Sequence, residues 1–156
     1  MLKPAVAPAA ASNGGQGGTL VYDGNTTRLE HVRCWASKTS PAVRLYFTDT
    51  AIPPAASVAQ AEIFLYDNRV TQIRLVVAIA EIPPRIVDAQ IEDFKSKTNS
   101  GMEKMTADQP PYVFEDAVAD DAHVAGTFSA KGAKTDPNEI LHSFDLRFDV
   151  KRADCR

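Results

Sequence analysis

Glu115, Asp116, Asp120, Asp121 and His123 form the densest group of residues able to hold a cation or move a proton. Calcium takes about six to eight oxygen ligands, which an aspartate-rich loop can supply. A histidine in a turn can titrate near neutral pH. The Asp-x-Asp-x-Asp-Gly rhythm of a calcium-binding loop is missing, however. Solvated charge at the end of a strand is the expected role, and Asp120, Asp121 and His123 are weak metal candidates. The other histidines, His31 and His142, stand at no metal-ligand spacing from a cysteine or from each other. Both fall in strand-like segments, where a packed ring is the ordinary role.

Nucleophilic chemistry finds little support. The chain has no Gly-x-Ser-x-Gly elbow. Cys34 lies in an alternating segment beside Trp35, as core cysteines do. Gly14-Gly15-Gln16-Gly17-Gly18 precedes a strand rather than a helix and lacks the phosphate-binding lysine. No catalytic residue and no cofactor are expected on these grounds. Asn25-Thr26-Thr27 matches the glycosylation acceptor pattern, which matters only in a eukaryotic secretory setting. Cys34 and Cys155 could form one bridge tying the C-terminus to the sheet. The favoured alternative is a buried thiol and an exposed tail thiol, because two cysteines carry so little pattern. The aromatic residues Trp35, Tyr46 and Tyr112 could line a ligand site. Tyr46 is singled out because it falls on the polar parity of its strand.

The elements that must position these residues are mostly strands. Asp23-Gly24 between two apolar-bearing runs is a hairpin signal. The second run, Asn25 to Ala36, alternates imperfectly, which suggests burial on both faces or a bulge. Val43, Leu45 and Phe47 alternate cleanly with Arg44, Tyr46 and Thr48. Ile73 to Ile79 is the best candidate for a central strand. Val124 to Lys131 and Ser143 to Val150 alternate as an antiparallel hairpin with one wet face. Tyr112 to Val118 reads as a further strand, Asp120-Asp121 as a turn, and 98–111 as a long loop.

Residues 44–64 recur at 74–94 with nine identities in 21 positions. Each copy spells an apolar run, Ile-Pro-Pro, and a polar-apolar mixture. In the first copy the residues after Pro-Pro are expected to make a turn or two of helix and then a strand, Glu62 to Tyr66. In the second, Ile86, Val87, Ile91 and Phe94 stand near helical spacing, with Lys95 and Lys97 towards the end, so a helix is expected there.

The 156 residues suit one domain, 19–152, preceded by an Ala/Pro/Gly-rich leader, 1–18, and followed by a short tail, 153–156. The expected fold is mainly β: an antiparallel sandwich or partly open barrel of about seven or eight strands with one or two short helices. An α+β arrangement is the alternative. The net charge of -3 with scattered Lys and Arg offers no footprint for nucleic acid, and no apolar run suits a membrane span. The leader resembles in composition those that precede β-rich domains in exported bacterial proteins. The expected function is therefore a non-enzymatic binding module of an exported, periplasmic or cell-envelope protein, with a protein or small ligand as partner. A small-ligand carrier with a barrel cavity is the alternative, and a carboxylate/histidine enzyme the third reading.

Overall fold

A computed structural model describes residues 16–94, 102–133 and 141–155. Its elements are β1 (Gly17–Tyr22), β2 (Asn25–Leu29), β3 (His31–Ala36), β4 (Ala42–Thr48), α1 (Val58–Asp67), β5 (Gln72–Ala78), β6 (Arg85–Glu92), β7 (Met102–Met105), β8 (Val113–Ala119), β9 (His123–Ala133) and β10 (His142–Lys151). The strands form two antiparallel five-stranded sheets, ordered β2-β1-β10-β9-β8 and β3-β4-β5-β6-β7. The mainly β, antiparallel expectation holds. The arrangement is sandwich-like and not a closed barrel, so the described strands do not form the barrel that the carrier reading assumes.

The core lies between the sheets. One sheet contributes Leu20, Phe128, Phe144, Leu146 and Phe148; the other contributes Leu45, Phe47, Ile73, Leu75 and Ile91. Phe47 meets Phe148 edge-on across the interface, with ring centroids 6.0 Å apart. The expected central strand is β5, third in its sheet, with Ile73, Leu75 and Val77 buried. His142 packs its ring, as its parity suggested: it is 1% exposed and stacks on Tyr22, Tyr112 and Phe144. Gly18 pairs with Leu146 of β10. A Cβ there would fall 1.6 Å from the carbonyl oxygen of Asp145, so the strand spacing itself demands glycine.

The irregular run Asn25 to Ala36 is neither one two-faced strand nor a bulge. It is two strands in different sheets, parted at Glu30. In β2 the inward residues are Thr27 and Leu29, whereas in β3 Cys34 turns to the same core and Trp35 turns away. Crossing between sheets shifts the inward parity by one residue, which a period of two cannot absorb.

The helix and the strand after the two Pro-Pro breaks are exchanged relative to expectation. Residues 58–67, including the expected strand Glu62 to Tyr66, form a single helix. Ser57 caps it: its Oγ accepts from the Gln60 amide at 3.2 Å, and Gln60 Oε1 accepts from the Ser57 amide at 2.9 Å. Ala61 and Leu65, four apart, then bury one stripe. At the other end Asn68 Nδ2 donates to the Phe64 carbonyl at 2.9 Å, and Arg69 turns the chain away with φ 51°. The second copy lacks such a cap and continues as β6. Its register shifts between Val76 and Val77, which pair with Asp88 and Ile86, so Val87 bulges out. The bulge lengthens the spacing of inward residues to Ile86, Ala89 and Ile91, and that imitates a helical period. Lys95 and Lys97 lie outside the described residues. Part of the expected long loop is a strand, β7.

The two copies therefore occupy unlike environments. Ile52 is 4% exposed beneath α1, while Ile82 is 98% exposed at the β5–β6 connection. The two copies are not equivalent structural units; what they share is the strand-stop at Ile-Pro-Pro.

Cys34 and Cys155 form a disulfide, which corrects the free-thiol expectation. After β10 a 3-10 turn, Arg152–Asp154, brings Cys155 back to β3, and both half-cystines are buried. The bridge joins the segment after β10, the central strand of one sheet, to β3, an edge strand of the other.

Candidate functional site

Helix α1 lies on the outer face of the β3–β7 sheet, over a second, smaller core of Trp35, Tyr46, Ile52, Ala61, Leu65 and Val70. Burying Ile52, Leu65 and Val70 contributes roughly 1.5–3 kcal/mol each. Trp35 and Tyr46 meet edge-to-face with centroids 5.2 Å apart. The Arg33 guanidinium covers the Trp35 ring at 4.7 Å and donates to the carbonyls of Ile52 and Pro53 at 3.1 and 3.0 Å. Thus the first Ile-Pro-Pro segment is pinned against the sheet, which sets where the helix starts.

A polar network joins α1 to the strands. Glu62 Oε2 accepts from Tyr46 Oη at 3.0 Å and from Arg74 Nη1 at 2.9 Å. Arg74 Nε donates to Gln72 Oε1 at 2.7 Å, and its guanidinium stands 3.9 Å from Glu92. Burial raises the Tyr46 hydroxyl above the ordinary tyrosine range, and the negative charge of Glu62 adds to the rise; Arg74 and Arg44 oppose it. Burial likewise raises Glu92, against the pull of Arg74. Glu62 and Glu92 are equivalent positions of the apparent repeat, yet one comes from a helix and one from a strand, and both address the same arginine.

Beside this network a groove of about 590 Å³ separates the N-terminal half of α1 from β3, β4 and the turn between them. That volume lies within the roughly 300–1,000 Å³ common for ligand sites. Trp35 and Ala36 line it from the sheet, and Val58 and Ala59 from the helix. Lys38 enters from the turn and Arg44 from β4, both exposed. The turn is braced internally: Ser37 Oγ accepts from the Thr39 amide at 3.3 Å and lies 3.3 Å from Ser40 Oγ. Glu62 closes the list of charges, and Arg74 and Tyr46 already hold its carboxylate. Among the described residues, neither Lys38 nor Arg44 has a carboxylate within ion-pair distance.

Of the three aromatic candidates, the structure brings two together and leaves the third apart. Trp35 and Tyr46 share the core under α1, and Trp35 reaches the groove. Tyr112 is in the main core, with Oη 2.8 Å from His142 Nε2 and its ring stacked on Phe128. Asp120 and His123 meet protein partners. Asp120 Oδ1 accepts from the amides of Ala122 and His123, both at 2.8 Å, and these bonds hold its carboxyl below the usual range. His123 Nδ1 lies 2.8 Å from Asp149 Oδ1. Asp121 lies exposed in the same turn. Among the described residues no group of three or more His, Cys, Asp or Glu is placed to hold a metal ion.

Lys38, Arg44, Ala59 and Glu62 were not singled out as site residues by their types or spacing. The one available signal was the Ser57-x-x-Gln60 capping box, which places Ala59 and Glu62 on a helix. Comparison with known family models, curated proteins and solved structures finds no match to this chain.

Proposed function

We propose that this chain is a non-enzymatic β-rich binding module of an exported or cell-envelope protein, and that its partner docks in the groove between α1 and the β3–β4 hairpin. The observation that carries this reading is the groove itself: apolar walls, two exposed cations and a half-buried acid already engaged by its own neighbours. Ligand sites combine apolar lining with a few placed polar groups in this way. The Cys34–Cys155 bridge is compatible with an oxidising compartment, where such bonds persist. No described helix is long and apolar enough to cross a membrane.

Ala59→Trp tests the reading. Ala59 is exposed on α1 and lines the groove, so a large ring there fills it from the side. The helix tolerates the exchange at a cost of about 0.5 kcal/mol. Peptides selected from a random library on the full-length protein are expected to lose binding to Ala59→Trp while its far-UV circular dichroism and melting temperature stay near wild type. Selected peptides that bind the variant unchanged would place the partner face elsewhere.

A further inference from the structure

We infer that the groove's partner is an acidic peptide segment, with carboxylates meeting Lys38 and Arg44 and an apolar side chain packed against Trp35, Val58 and Ala59. The inference rests on the groove reading above and adds the chemistry of the occupant. Charge complementarity carries it. The chain as a whole is acidic at -3, yet the two exposed charges lining this groove are both positive; Arg44 also reaches the Tyr46 hydroxyl, and neither cation has a carboxylate partner among the described residues. Its acid, Glu62, takes a hydrogen bond and an ion pair from Tyr46 and Arg74, so it is not a counter-ion for Lys38 or Arg44.

Several details favour a peptide bearing more than one carboxylate. Lys38 and Arg44 come from different segments, a turn and a strand, and so offer two separate points of attachment. A guanidinium suits a carboxylate in a two-pronged hydrogen-bonded pair. The hydroxyls of Ser37, Thr39 and Ser57 line the same groove and can serve an extended backbone. The helix N-terminus is already closed by its Ser57–Gln60 box, so the positive character comes from side chains. Ala36, Val58 and Ala59 supply the apolar surface that a side chain between the acidic residues would cover, with the largely buried Trp35 ring beneath them.

Trp35 is the single tryptophan, so its fluorescence reports occupancy without a label. The full chain would be titrated with three peptides of equal length: Glu/Asp residues flanking Leu, the Gln/Asn counterpart, and the Lys counterpart. The acidic peptide is expected to bind about tenfold tighter than the neutral one, and to lose that advantage when salt rises from about 50 to about 500 mM. A Lys38→Gln/Arg44→Gln double variant, folded by circular dichroism, should bind the acidic peptide about tenfold more weakly and the neutral peptide unchanged. Equal binding of acidic and neutral peptides, both blocked by Ala59→Trp, overturns the acidic assignment and leaves the groove standing. Acidic binding indifferent to the double variant, or matched by inorganic polyphosphate, also overturns it. No binding of any peptide, with library-selected peptides indifferent to Ala59→Trp, overturns both.

Discussion

Reducing the Cys34–Cys155 bridge, or replacing both cysteines by serine, is expected to lower the free energy of unfolding by about 5 kcal/mol in the chain-entropy view of a crosslink. The bridge spans a sequence separation of 121, so it closes nearly the whole described chain into a loop. Loop-closure entropy removed from the unfolded state grows with loop length, and this loop is long. The folded state adds a second contribution. The half-cystines are buried, and Cys155 follows a short turn none of whose own residues is buried. Without the bond, the last turn is still tied by Arg152, whose amide donates to the Ala122 carbonyl at 2.8 Å and whose Nη1 donates to the Asp120 carbonyl at 2.7 Å. Urea unfolding of the oxidised protein, the reduced protein and the double serine variant measures the difference. A loss below about 1 kcal/mol would mean that the turn packs as well without the bond and that the unfolded chain gains little freedom.

The second large effect is expected at Phe128. Phe128→Ala should cost about 3–5 kcal/mol, the range for truncating a large core aromatic. Phe128 is fully buried and touches three other rings, with centroids 6.1 Å from Tyr112, 6.4 Å from Phe114 and 5.1 Å from Phe144. These residues come from β8, β9, β10 and the segment before β8. Neighbours fixed on separate strands cannot collapse into the void easily, so the cavity term adds to the lost transfer energy. Phe114→Ala is the control. Phe114 is half-buried on the edge strand β8 and should cost clearly less. Denaturant midpoints at unchanged slope compare the two. Equal losses would mean that the aromatic cluster is not centred on Phe128.

Much of the fold was legible because most strands obey a period of two. In β4, Leu45 and Phe47 point into the sandwich and Arg44 points out; β9 and β10 behave alike. What escaped reading did so for local reasons. The parity shift at Glu30 reflects a passage between sheets, which periodicity within one segment cannot signal. The bulge at Val87 converts strand spacing into apparent helix spacing. In the other direction, the Ser57–Gln60 box was a written start signal for α1 that the Pro-Pro break before it obscured. The free-thiol expectation failed because two cysteines define no pattern until the topology brings β3 and the C-terminus together. For the site, Trp35 was named for its type and Tyr46 for its polar parity, and both lie in the small core under α1, with Trp35 alone of the two lining the groove. The groove was not legible, because it depends on where α1 lies across the sheet, and that position is set by contacts distant in sequence, such as Arg74 with Glu62 and Arg33 with the Ile52 carbonyl.

The chain thus combines a sandwich that holds itself together through its aromatic core and terminal bridge with an outer layer, α1 and its groove, that faces outwards. The central claim is that this outer layer is the binding face. Backbone and indole NMR signals of the full chain, followed on addition of the acidic peptide, test it most directly. The account predicts shifts in the Trp35 indole N–H and in the amides of residues 36–39, 44 and 57–62, with the opposite sheet unmoved. Shifts centred on the outer face of β1, β9 and β10, with the Trp35 indole unchanged, would contradict it.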